Sequence, residues 1–209
     1  MHYGLILEMI GTIAFASSGA MTGIKKNMDI FGIIVLAVVT ALGGGMIRDV
    51  ILGNTPPKMF SNYSYTLVAI TTAVVLFLLF RCNSHLLSGR FIPVYESVMN
   101  IADAVGLGIF TVSGIATAQN LGYDGTFLLI FVGMLTGIGG GICRDVLAKE
   151  IPYIFVKQIY ASASLIGAVV YLTALNWLTH IPASVISITI TLIIRLLATH
   201  YRWDLPKVR

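Results

Sequence analysis

The chain has 209 residues, 57% of them hydrophobic and only 11% charged, with a formal net charge of +4 and a mean hydropathy of +0.91. Soluble domains carry about 25% charged residues, and the shortage here runs the length of the chain, which excludes a water-soluble globule. The apolar runs lack the polar–apolar alternation of barrel strands, so the expectation is an all-α integral membrane protein.

Seven apolar segments are long enough to span a bilayer core at about 20 residues each. Tyr3–Met21 comes first; it has no basic start and carries Glu8, so it predicts a span and no cleavable leader. Ile30–Leu52 follows the loop Lys25–Asp29, and Ser61–Phe80 follows the turn Gly53–Lys58. After the polar stretch Arg81–Pro93 come Ser97–Ala118 and Thr126–Ala148, then Ile154–Leu175 and Pro182–Thr199. With seven spans the termini fall on opposite sides. One side receives Lys25, Lys26, Arg81, Arg90, Lys149, Lys157, Arg202, Lys207 and Arg209, and the other only Lys58. That bias predicts an N-terminus outside and a C-terminus in the cytoplasm. The positive charge is therefore a topology signal, and no soluble basic face is left for nucleic acid.

The chain repeats itself. At an offset of 95, Glu8 meets Asp103, Gly11 meets Gly106, Phe15 meets Phe110, Ser18 meets Ser113 and Asp29 meets Asp124. At an offset of 96, "GGGMIRDV" (Gly43–Val50) meets "GGGICRDV" (Gly139–Val146), and Pro56 meets Pro152. Each unit holds three spans, an odd number, so the second must enter the membrane from the opposite side; such inverted repeats mark proteins that move solutes. The expected organisation is a first three-helix unit over 1–80, a cytoplasmic linker over 81–96, an inverted unit over 97–176, and a seventh helix with a cytoplasmic tail over 177–209. Two polar layers follow: Glu8, Arg48 and Asp49 outside, Asp103, Arg144 and Asp145 inside.

Three consecutive glycines cost about 1 kcal/mol each against alanine in a helix interior. Gly43–Gly45 and Gly139–Gly141 therefore predict a kink or an unwound turn, whose freed carbonyls can coordinate a cation, with close helix packing as the alternative. Arg48 shares a helix face with Gly44, and Asp49 lies about 100° further round. Glu8 and Asp103 are the expected partners of the two arginines. Ser17, Ser18 and Ser113 are candidate polar lining, with interhelical hydrogen bonding the alternative. Arg195 and Lys157 read as charges snorkelling near helix ends, and Tyr153, Tyr160, Tyr171 and Trp177 as interface anchors. His2, His85, His180 and His200 form no ligand cluster, and Cys82 and Cys143 match no metal spacing or disulfide framework. No nucleophile–base arrangement or phosphate loop is present, which argues against an enzyme and against a cofactor.

Two copies of Gly-Gly-Gly-x-x-Arg-Asp-Val, in two three-span units followed by a seventh span, resemble the trimeric intracellular cation (TRIC) channel family, and most closely its prokaryotic branch of glycine-transporter-domain membrane proteins. The resemblance implies a homotrimer in the inner membrane of a prokaryote, embedded in lipid, with one pore per subunit. It implies selectivity for the monovalent cations potassium and sodium, and second and fifth helices kinked at the glycines. Carried over by motif, Gly43, Gly44, Gly45, Arg48, Asp49, Gly139, Gly140, Gly141, Arg144 and Asp145 become the pore candidates. Animal members carry lysine-containing variants of the motif and bind acidic phosphoinositide lipid; both copies here read Arg-Asp, so that regulation is not carried over. The competing expectation is a transporter of glycine or another small amino acid, with an arginine holding the carboxylate and an acid receiving the ammonium.

Overall fold

The computed structural model describes residues 2–83, 92–156, 159–201 and 203. His85, Arg90, Lys157, Arg202, Lys207 and Arg209 lie outside the described residues. The chain forms α1 (His2–Lys25), α2 (Ile30–Ile51), α3 (Lys58–Ser61), α4 (Ser64–Cys82), α5 (Ile92–Asn120), α6 (Thr126–Leu147), α7 (Tyr153–Val156), α8 (Ala161–Ala174) and α9 (His180–His200). Six of these, α1, α2, α4, α5, α6 and α9, are long and apolar enough to cross a membrane. Their outward faces and the loops beside them carry large exposed hydrophobics such as Phe31, Phe127 and Trp177, as a helix wall meeting lipid requires.

The expected sixth span, Ile154–Leu175, is not one helix. A four-residue turn, α7, precedes a bend at Ile159–Tyr160, and α8 has only 14 residues. The hydropathy of this stretch comes partly from residues that turn into the protein: Tyr160 is 2% exposed. The third span likewise starts late, at Ser64, after the short α3.

Two hairpins, α1–α2 and α5–α6, form the centre and pack on each other where α2 crosses α6. Asp29 opens α2 as N-cap, accepting from the Gly32 N–H at 2.7 Å, a bond worth about 1 kcal/mol. Both α2 and α6 run through their glycines as unbroken helix, so the unwound turn anticipated from helix propensity is absent. Close approach is the reason. A Cβ on Gly44 would run into the Thr136 carbonyl oxygen, and one on Gly140 into that of Thr40. These reciprocal contacts also make α2 and α6 antiparallel. At the centre Phe15 and Phe110, equivalents in the two units, stack with centroids 5.2 Å apart. The last helix, α9, packs against α5 and α8.

Candidate functional site: two charge clusters

Each glycine helix ends in the same way. After α2, the Asn54 N–H donates to the Asp49 carbonyl at 2.8 Å and the Gly53 N–H to that of Val50 at 3.2 Å; after α6, Glu150 and Lys149 repeat this on Asp145 and Val146 at 2.8 and 3.1 Å. This is the Schellman ending, with Gly53 (φ 68°) and Lys149 (φ 56°) in the left-handed position. The sharp stop turns the chain back, so that the Lys58 N–H meets Asp49 Oδ2 at 2.8 Å and the Tyr153 N–H meets Asp145 Oδ2 at 2.9 Å. Each aspartate thus fastens the re-entrant turn that follows its own helix. With its other oxygen, Oδ1, it accepts from the adjacent arginine: Nε and a terminal nitrogen lie at 2.8 Å in both copies.

Around Arg48 and Asp49 lies a first cluster. Glu8 Oε2 accepts from the Tyr65 hydroxyl and, at 2.8 Å, from the Lys58 ammonium, while Oε1 accepts from Ser113 at 2.7 Å. Lys58 and Tyr65 are the partners of Glu8, and no bond joins it to Arg48, contrary to expectation; the turn after α2 brings a lysine closer than the arginine, which Asp49 already holds. Glu8, Gly45, Arg48, Asp49, Lys58 and Tyr65 do share one cleft of about 40 Å³. A larger crevice of about 720 Å³, bounded by α1, α5 and α9, reaches Glu8, Lys58 and Ser113 from another side.

The second cluster is sealed. Arg144 and Asp103 are each 1% exposed, Asp145 2% and Arg195 3%. One terminal nitrogen of Arg144 donates to Asp103 Oδ1 and to Ser18 Oγ, each at 2.5 Å, so here the expected Arg–Asp partnership is present. Ser18 also approaches Asp103 Oδ1 at 3.4 Å. The Tyr153 ring lies 5.3 Å from the Arg144 guanidinium carbon. Removing one partner of such a buried pair leaves an uncompensated charge, which costs about 3–5 kcal/mol.

Serine contacts fix the relative direction of α1 and α5. Ser18 reaches Asp103 while Ser113 reaches Glu8, so early α1 meets late α5 and the two helices are antiparallel. Ser17 joins neither cluster; its hydroxyl returns to the Ile13 carbonyl of its own helix at 2.7 Å.

Lys58, which the sequence marks only as a loop charge, joins the first cluster through Glu8. Tyr65 and Tyr160 are themselves repeat equivalents at an offset of 95, a signal that was there to be found. Tyr160 is buried beside Arg195, and Tyr171, 1% exposed, pairs with His180 at 3.2 Å; neither is an interface anchor. Arg195 does not snorkel: its guanidinium carbon sits 4.5 Å from the Tyr160 ring centroid and a terminal nitrogen 4.0 Å from Asp103 Oδ2. An arginine five residues before the end of α9 is within reach of water by length alone, which is why snorkelling was expected. Among the described residues no group of His, Cys, Asp and Glu could hold a metal ion.

A family model described as "Glycine transporter" matches this chain twice, over residues 5–81 and 100–176. The inner membrane protein YadS of Escherichia coli K12 is 39% identical over 203 residues, 96% of this chain and 93% of that protein. A solved structure of the TRIC orthologue from Rhodobacter sphaeroides superposes with a TM-score of 0.86 at 30% identity, covering 97% of this chain and all of that one. The chain belongs to the TRIC family. A second TRIC structure, solved in a study of conductance through TRIC cation channels, is 37% identical with a TM-score of 0.83 over 98% of this chain and 96% of that one. Like YadS, this TRIC-family chain is a multi-pass protein of a prokaryotic inner (plasma) membrane. The first matched segment contains Glu8, Arg48 and Asp49, and the second Asp103, Arg144 and Asp145.

Proposed function

We propose that this TRIC-family chain is a cation channel, assembled as a homotrimer with one potassium- and sodium-conducting pathway in each subunit. The pathway runs along the α2–α6 crossing. Glu8, Arg48 and Asp49, with Ser113 beside Glu8, form its outer mouth; Gly43–Gly45 and Gly139–Gly141 form the narrow middle. Asp103, Arg144 and Asp145, with Ser18, form its inner closure. Units 1–80 and 97–176 are inverted, joined by a cytoplasmic linker over 81–96 and followed by 177–209. The antiparallel pairing of α1 with α5 and α2 with α6 supports that inversion. An N-terminus outside and a C-terminus inside accord with Lys25, Lys26, Arg81 and Lys149 on one side against Lys58 on the other.

The observation that carries the proposal is the pair of charge clusters, separated by the ten residues from Glu8 to Ser18, or about 15 Å along α1. Buried ionisable groups are expensive in a membrane bundle even when paired, and their repetition at two depths marks a route for charge. Carboxylates raise the local cation concentration, and arginines held by them keep the field from becoming a trap. Ions are the permeant species and no cofactor takes part.

Transport of glycine is the second reading. It is favoured by the acid and the arginine that share the first cleft and by the description of the family model. Purified protein in a planar bilayer separates the two. Discrete current steps in symmetric KCl, altered in conductance or gating by Arg48→Ala and Arg144→Ala, are expected. Saturable glycine uptake into proteoliposomes without such steps overturns the channel.

A further inference from the structure

We propose that Arg195, on the helix outside the duplication, is the lock of the second cluster: it holds the free oxygen of Asp103 and cancels the cluster's remaining negative charge, keeping that end shut. The proposal rests on the channel reading and adds to it a residue that lies in neither copy of the glycine motif.

Charge counting leads to it. The duplicated residues supply each cluster with two acids and one arginine: Glu8, Asp49 and Arg48 in the first, Asp103, Asp145 and Arg144 in the second. Each triad is one negative charge in excess. A fourth, non-duplicated cation neutralises each, and the two differ in kind. In the first it is Lys58, whose side chain is 43% exposed and free to leave Glu8 for water. In the second it is Arg195, whose side chain is 4% exposed and cannot leave without opening the bundle.

The geometry around Asp103 is divided. Arg144 grips Oδ1 at 2.5 Å, while Arg195 stands 4.0 Å from Oδ2. Asp103 Oδ2, Arg195 Nε and the Tyr160 hydroxyl are all buried without a hydrogen-bond partner. Tyr160 lies under the Arg195 guanidinium, and its hydroxyl sits 2.8 Å from where a Gly141 Cβ would be, so Tyr160 links Arg195 to the second glycine triplet. Two cations thus share one carboxylate, one firmly and one loosely. Removing the loose one leaves Asp103 as an excess negative charge in a dry site, which draws in water and cations. The close packing of α9 on α5, where a Gly108 Cβ would lie 3.3 Å from the Ile188 carbonyl, fixes the position of Arg195.

The test compares Arg195→Met, which keeps length and loses charge, with Arg195→Lys, which keeps charge. Two readouts are taken: open probability in a planar bilayer, and backbone hydrogen–deuterium exchange of the purified protein over 139–147 against the equivalent segment 43–51. For Arg195→Met, open probability and exchange over 139–147 are expected to rise at least about fivefold, the effect of a unit charge at 4.0 Å even when screened as in water. Exchange over 43–51 stays at the parent level, and Arg195→Lys behaves like the parent. Unchanged exchange over 139–147 overturns the proposal, as does an equal rise in both segments, which reports general loosening. Arg195→Lys matching Arg195→Met, or an Arg195→Met protein that fails to assemble, assigns the arginine to packing and overturns it too. Exchange is read whether or not the parent conducts, so absent parent current removes the channel reading and unchanged exchange removes the lock.

Discussion

At the scale of single residues, Gly53 and Lys149 hold the same left-handed position after equivalent helices, yet only one of them is suited to it. A side chain in that conformation costs about 1–2 kcal/mol. Thermal unfolding in detergent is expected to show Gly53→Ala less stable by about 1 kcal/mol and Lys149→Gly more stable by a similar amount. Equal and small effects at both positions would contradict the shared turn geometry. The motif's charges were legible because Arg and Asp are rare inside apolar runs and occur there twice. Their partners were not. Whether Glu8 meets Arg48 or Lys58 depends on how tightly the chain folds back after Gly53, and the pull of Asp49 on the Lys58 backbone decides it. Tyr160 and Arg195 meet only because a bend at Ile159–Tyr160 interrupts an apolar stretch that composition alone reads as continuous.

At the scale of helices, the glycine triplets form no unwound turn, and of the consequences expected for them close packing is the one the contacts show. Propensity predicted a broken helix, since each glycine costs about 1 kcal/mol. Tertiary contact reverses the balance: the helices stay whole because the α2–α6 crossing needs backbone against backbone at Gly44 and Gly140. The three positions of a triplet are therefore not equivalent. Gly44→Ala must push α2 off the Thr136 carbonyl, and a loss of about 1–3 kcal/mol in unfolding free energy is expected. A Cβ on Gly45 meets only the Arg48 guanidinium, at 3.7 Å. Gly45→Ala is expected to gain about 0.5–1 kcal/mol from helix propensity. Equal destabilisation by both would mean that the triplet serves flexibility and not the crossing. Six of the seven expected spans and their order are plain from hydropathy, because lipid-facing walls leave an unmistakable run. The split of the sixth segment was hidden, since residues buried in protein and residues facing lipid look alike on a hydropathy scale.

At the scale of the whole molecule, the fold is two related hairpins crossing at glycine, with one charge cluster reached by a cleft and one sealed. Each cluster is balanced, two acids against two bases, and the balancing cation comes from outside the duplicated motif in both cases. The repeated residues therefore supply two like triads, and Lys58 and Arg195, which have no counterpart in the repeat, make the two clusters different. The repeat and its charged positions could be read from the sequence, whereas the asymmetry needed the turn after α2 and the docking of α9. The proposed cation conduction is decided by the reversal potential across a planar bilayer with a KCl gradient: a cation pathway sets it close to the Nernst potential of potassium, and a value at zero or toward that of chloride rules such a pathway out.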